Sequence, residues 1–226
     1  MKKTTKPQAT KATKATKTQK TQGTLNVTGE GEVSVRPDIA ILDLDVVTNA
    51  KNAQQAVQQN AERMNRVIDA LKDMGIRAAE IQTVGYDVIP LVDNESKSPT
   101  FGQILEYRVV ARLRVKVSVE EAGETIDVGV RAGANMVTGV RYTIRDEATV
   151  RARALKAAVK AARRDADAVA ESLAIKLRET KEIEINLGGS PVFYREVAMA
   201  KSAMSTPFEP GQIEVRATVR IVYEYD

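Results

Sequence analysis

The sequence predicts an α+β protein, with mainly antiparallel sheets and helices packed on one face. Three observations carry this. Period-two alternation recurs in several long segments, most cleanly over 104–119 and 212–225. The period switches to about 3.6 near residue 50 and again near 146. Only ten residues, 93–102, separate two strand-like segments, too short for a parallel crossover.

Residues 24–35 (TLNVTGEGEVSV) alternate and are interrupted by Gly29 and Gly31, which predicts a strand with a bulge or sharp bend. Pro37-Asp38 marks a turn. Ala40, Leu42, Leu44 and Val46 then share one face, with Asp43 and Asp45 on the other, expected to face solvent. Ala53, Val57, Ala61, Met64, Ile68 and Leu71 form the stripe of a helix over about 50–74, stopped by Gly75.

Ile81, Val84, Val88 and Ile89 return to strand character over 79–92. After the polar loop, Tyr107, Val109, Ala111, Leu113, Val115 and Val117 line one face of 104–119, and Arg108, Arg112, Arg114 and Lys116 the other. The first half reads β-β-α-β-β, and the second is a looser echo. It has a short helix ending near Gly133 and a strand at 136–145. A long helix from an Asp146 cap to about 177 follows. Its stripe runs through Ala148, Ala152, Leu155, Ala158, Val159, Ala162, Ala166, Val169, Ala170, Leu173 and Leu177. Strands at 181–187 and 212–225 close the order, giving subdomains at about 23–118 and 119–226.

The chain has 226 residues and no Cys, His or Trp. This excludes a Ser-His-Asp triad, a Cys-His pair, disulfides and His- or Cys-ligated metals. Residues 1–22 hold seven lysines, seven threonines and no acid. The 34 basic residues include those seven, leaving 27 against 30 acidic ones in the body. A segment with no large apolar residue after Met1 cannot offset its ordering entropy, so a disordered tail is expected. No apolar h-region follows Met1-Lys2-Lys3, so no signal peptide is visible and a cytoplasmic site stays open. No apolar run is long enough to predict a membrane-spanning helix.

Asp43 and Asp45, about 7 Å apart on one strand, have the chemistry of a cation site or an acid–base pair. Alternation alone also puts charge there. Gly29-Glu30-Gly31 lacks the Lys-Ser/Thr of a phosphate loop. The Arg108–Lys116 row lacks interleaved aromatics, so pairing with acids such as Glu214 and Glu224 is expected. Neither a catalytic residue, a cofactor site nor a metal site is predicted.

Two interaction sets remain. Phe193, Tyr194, Met199, Met204 and Phe208 lie in the turn-rich 188–211, as a lid on their own subunit or an arm on a neighbour. Lys2, Lys3, Lys6, Lys11, Lys14, Lys17 and Lys20 of the tail are candidate polyanion contacts. Arg153, Lys156, Lys160, Arg163 and Arg164 of the long helix join them, although an ordinary solvated face explains the helix charges too.

Several segments together resemble the SIMPL-domain family. They are Val27-Thr28-Gly29-Glu30-Gly31-Glu32-Val33 followed by Arg36-Pro37-Asp38-Ile39-Ala40, then Ile81-Gln82-Thr83 with Tyr86 and Pro90, and Glu106-Tyr107. Thr206-Pro207-Phe208-Glu209-Pro210-Gly211 before a closing V-x-A-x-V-x-I-x-Y-E strand completes the set. The resemblance covers about 24–226. It implies a duplicated α+β arrangement and relatives mostly exported to the periplasm or envelope. Some bacterial relatives form ring-like homo-oligomers, and oxidative-stress defence is among the proposed roles. No catalytic residues carry over.

The expected function is therefore non-enzymatic, by homo-oligomeric assembly or partner binding, with any small-molecule ligand unidentified. The alternative is a cytoplasmic polyanion- or nucleic-acid-associated protein that uses the tail and the basic helix face. A hydrolase working on carboxylates alone has no matched acid and base to support it.

Overall fold

The computed structural model describes residues 23–187, 192–194 and 210–226. The elements are β1 (Gly23–Val35), β2 (Ile39–Ala50), α1 (Ala53–Asp73), a 3₁₀ turn (Ala78–Glu80), β3 (Ile81–Val92), β4 (Ile104–Ser118), α2 (Ala122–Ala132), β5 (Met136–Thr143), α3 (Glu147–Leu173), β6 (Leu177–Leu187), β7 (Val192–Tyr194) and β8 (Gln212–Tyr225). The α+β class holds, and among the described residues every strand pairing is antiparallel. β3 pairs with β4 as the short loop requires.

The described strands form two four-stranded sheets. One has the order β3-β4-β2-β5; in the other, β1-β8-β6 are joined by β7, which also pairs with β8. Sheet membership crosses residue 118, since β1 joins β8 and β5 joins β2. Backbone passes between the sheets at 36–38 and 144–146. There Arg145 N–H donates to Asp38 Oδ1 at 2.8 Å, tying the two connections together.

The first sheet is covered by α1 and α2 over a core of Leu42, Leu44, Val67, Leu71, Leu113 and Val115. Asn52 caps α1 by accepting from Gln55 N–H, and Gly75 ends it at φ +97°. The buried line is Ala56, Asn60, Met64, Val67 and Leu71. It lies beside the expected stripe, so Val57 and Ala61 are exposed.

The second sheet is covered by α3. Asp146 accepts from Thr149 N–H at 3.0 Å, as expected of a cap. The helix ends at Leu173, and Ala174 takes the left-handed conformation (φ 53°) in place of a glycine. The strand after it starts at Leu177, earlier than expected. The buried line is Val150, Ala154, Ala158, Ala162, Ala166 and Ala170, every fourth residue. Ala148, Ala152, Val159, Val169 and Leu173 of the expected stripe point away and are exposed.

Gly29 and Gly31 make no bulge. The β1–β8 ladder runs without a register shift from Gly23↔Tyr225 to Val35↔Ile213. The glycines are needed because α3 lies on the strand. A Cβ at Gly29 would sit 2.1 Å from the Ala158 carbonyl oxygen, and one at Gly31 2.1 Å from that of Ala154. Glycine below and alanine above let two backbones touch.

Candidate interaction surfaces

On the first sheet, Asp43 and Asp45 face away from α1 and α2, yet both are buried. The solvent face expected for them is roofed by arginines. Arg114, their neighbour on β4, donates from Nε to Asp43 Oδ1 at 2.9 Å and from Nη2 to Oδ2 at 3.3 Å. Arg141 of β5 reaches Asp43 at 3.2 Å from the other side. Arg112 donates to Asp45 at 3.3 Å, and Thr138 Oγ1 at 3.4 Å.

The antiparallel register sets Asp43 opposite Arg114 and Asp45 opposite Arg112, so the ladder itself makes the pairs. The hydrogen bond to Asp43 pushes the Arg114 pKa up. Both carboxylates are spent on guanidinium groups, which leaves a structural pair rather than an open acid–base site. The partners expected on the last strand are corrected too. Glu214 pairs with Arg216 on its own strand, and Glu224 meets Lys181 at 3.7 Å, both in the other sheet.

The basic face of α3 is present. Arg153, Lys156, Lys160, Arg163 and Arg164 are all exposed. Arg163 Nε lies 3.0 Å from Asp167, and its guanidinium carbon is 5.4 Å from the ring centre of Tyr223. Arg164 pairs with Asp165 at 2.9 Å. Two of the five cations are thus partly neutralised by neighbours on their own helix. The seven tail lysines lie outside the described residues.

Of the expected oligomer contacts, Phe193 and Tyr194 fall in β7, opposite Ile213 and Gln212. Met199, Met204 and Phe208 lie outside the described residues. Another apolar surface, not among the expected contacts, lies along β3 and the loop that follows it.

Val84, Tyr86, Val88, Ile89 and Val92 of β3 are exposed, as are Phe101, Ile104 and Leu105. These eight are close to half of the seventeen large apolar side chains exposed among the described residues. α1 lies over β2 and β4, leaving β3 outside its cover. The hairpin tip is fixed by Asp93, which accepts from Ser98 Oγ at 2.5 Å, Thr100 Oγ1 at 2.6 Å and Glu95 N–H at 2.9 Å. Those bonds hold its carboxyl below the usual range, the Ser98 hydroxyl most of all. The signal available in the sequence was the run Val88-Ile89-Pro90-Leu91-Val92, apolar at consecutive positions and so on both faces.

A cavity of about 810 Å³ opens at the junction of the two sheets. Arg77, Lys116, Arg145, Glu121 and Glu147 line it among others. Glu121 accepts from both Ser118 N–H and Oγ–H, and the Ser118 hydroxyl is the main reason its pKa is lowered. Both signs of charge converge there, so the lining selects no single class of ligand.

Residues 25–223 match the family model for SIMPL, described as a protein of unknown function (DUF541). The chain belongs to the SIMPL family. This SIMPL chain is similar to the 26 kDa periplasmic immunogenic protein of Brucella abortus (strain S19), with 31% identity over 210 residues, 88% of this chain and 83% of the relative. The protein of the same name from Brucella melitensis biotype 1 matches at the same identity and coverage. The uncharacterized protein YggE of Edwardsiella ictaluri is 24% identical over 151 residues, 66% of this chain and 62% of that one. No described helix is long and apolar enough to cross a membrane.

Proposed function

We propose that this chain is a non-enzymatic SIMPL protein of the periplasm or cell envelope that works by homo-oligomeric assembly, and through it by holding a partner. The concentration of exposed apolar side chains on the β3–β4 hairpin carries the reading. Soluble monomers seldom keep such a patch bare, and burial against a neighbour removes it from water. The periplasmic names of the Brucella relatives support the compartment. A role in stress defence within the envelope is part of the same proposal.

The test is the mass of the full chain by light scattering at micromolar concentration. A multiple of the chain mass is expected, and a single-chain mass would sink the assembly. Phe193, Tyr194 and Phe208 are proposed as a second contact. Replacing all three with Ser should lower the mass; an unchanged mass would remove them from the interface.

The basic face of α3 favours a second reading, polyanion contact assisted by the seven tail lysines. Their complete engagement would give a salt slope of at most about −6 on duplex DNA. Heparin retention that survives deletion of residues 1–22 would assign the contact to α3 instead.

A further inference from the structure

We propose that the arginine face of the first sheet, on the side away from α1 and α2, docks an extended acidic segment of a partner protein, with alternate carboxylates on Arg112, Arg114 and Lys116. This surface is no part of the assembly proposed above, and its test stands apart from the mass in solution.

Direct cross-strand neighbours share a face of the sheet. The register therefore sets Arg112, Arg114 and Lys116 of β4 beside Asp45, Asp43 and Ile41 of β2, with Arg141 of β5 on the far side of Ile41. α1 and α2 pack on the opposite face, and no described element packs over this one. Asp43 and Asp45 are buried beneath the guanidinium groups, while Arg112 and Arg114 keep 37% and 33% of their side-chain surface in water. Arg114 spends two of its five N–H groups on Asp43, and Arg112 one on Asp45, so each fork keeps donors for a second carboxylate. Gly85 stands opposite Arg112 and leaves it room, since a Cβ there would come 3.2 Å from Arg112 Nη1. Pairing in the interior about cancels the cost of desolvating both partners. What the buried aspartates add is position. They hold the forks in place before a partner arrives, which takes side-chain ordering out of the cost of binding.

The occupant follows from charge, spacing and composition. Arg112, Arg114, Lys116 and Arg141 set four cations against the two carboxylates of Asp43 and Asp45. Toward the other end of β4 the row turns mixed, because Asp87 and Glu106 share the face with Arg108. The cationic surplus is thus local to the Lys116 end. Successive cations there are two residues, about 7 Å, apart, the repeat of alternate side chains in an extended segment. A guanidinium fork matches a carboxylate with two parallel bonds. Ile41, Val47 and Val110, all half-buried, share the face and suit the apolar stems of acidic side chains. Single-stranded nucleic acid would need rings to stack on. Tyr86, Tyr107 and Tyr142 instead stand on the helix side, opposite Ala111, Ala50 and Ala40.

The probe is a labelled decapeptide of alternating Glu and Thr, followed by fluorescence anisotropy on the full chain. At about 0.1 M salt, exposed charges more than about 10 Å away are largely screened. Arg112→Lys with Arg114→Lys keeps every charge and loses both forks. It should weaken the peptide at least about tenfold, the worth of one charge-assisted hydrogen bond. Lys156→Gln with Lys160→Gln removes two charges from α3 and should change the affinity by less than about twofold. Equal loss in both variants, no loss in the first, or no binding by the wild type overturns the proposal. So does an equal loss for a thymine decamer, which would make phosphate the ligand. Should the Arg→Lys variant lose its far-ultraviolet circular dichroism, Lys116→Gln decides, because Lys116 pairs with neither aspartate. It should weaken the peptide about threefold, the size of an exposed ion pair, and an unchanged affinity overturns the proposal.

Discussion

The first sheet holds α1 and α2 at arm's length on Leu42, Leu44, Leu71 and Leu113. The second lets α3 rest on β1 through Gly29, Gly31 and the line Ala154-Ala158-Ala162. Both place helix on antiparallel sheet, with opposite tolerances. A core of branched side chains adjusts to small volume changes by rotating them. Backbone against backbone has nothing to rotate. The opposite faces differ as well. Behind the first sheet, buried aspartates are locked under arginines. The second sheet has Glu214 buried beside Arg216 and otherwise carries exposed pairs such as Arg216–Glu32 at 3.6 Å and Arg220–Glu184 at 3.7 Å.

Gly29→Val should break the contrast most. Its Cβ would press on the Ala158 carbonyl and the Ala162 nitrogen at 2.1 and 2.4 Å, neither able to yield. A loss of at least about 3 kcal/mol is expected by denaturant titration, the upper end of overpacking costs. A loss below about 1 kcal/mol would mean that α3 can lift off β1.

Asp45→Ala comes next. Asp45 is 1% exposed, but Arg112 keeps 37% of its side-chain surface in water and can resolvate. About 2 kcal/mol is therefore expected, below the full cost of orphaning a buried charge. Glu184→Ala in the second sheet should change stability by less than about 0.5 kcal/mol. Equal costs would erase the difference between the two polar faces.

The smallest effect is the α3 cap. Asp146→Ala removes the acceptor of Thr149 N–H and should lower the melting temperature by a few degrees.

The same group has a pH signature. Hydrogen bonds hold Asp146, Asp93 and Glu121 below their ordinary values, chiefly from the side chains of Thr149, Ser98 and Ser118. A lowered folded pKa stabilises above the unfolded value, and the gain is lost as pH falls through the folded one. Thermal stability should drop below about pH 4, where carboxylates protonate. With no histidine in the chain, it should stay level between about pH 5 and 8. A midpoint near pH 6 in the melting curves would contradict this.

Element type and order, apart from the short β7 inside the turn-rich 188–211, were legible because periods of two and 3.6 are local properties. So was the β3–β4 pairing, which a ten-residue loop dictates. Helix phase was harder: Val57 and Val159 look like core, yet they point past sheets whose position is a tertiary fact. Gly29 and Gly31 announced that something was tight, but a bulge and an overlying helix leave the same mark. Asp43 and Asp45 read as solvent-facing because alternation reports which side a residue takes, not what its neighbours lay over it. The exposed hairpin was hidden for the same reason, since β3 is apolar like its partner and only α1's position leaves it bare.

The β1–β8 ladder also sets an order of events. Residues 39–143 contain everything the first sheet and its two helices need, in one unbroken stretch. Among the described residues β1 joins only β8, at 212–225, almost the whole length of the sequence later. Closing so distant a pair is entropically slow, and local structure forms ahead of it. The first sheet should therefore gain its protection against hydrogen exchange early in refolding, and β1, β8 and α3 together in a later phase. A chain drawn through a membrane or off a ribosome would carry β1 without its β8 partner until residues 212–225 emerge, held open by topology alone.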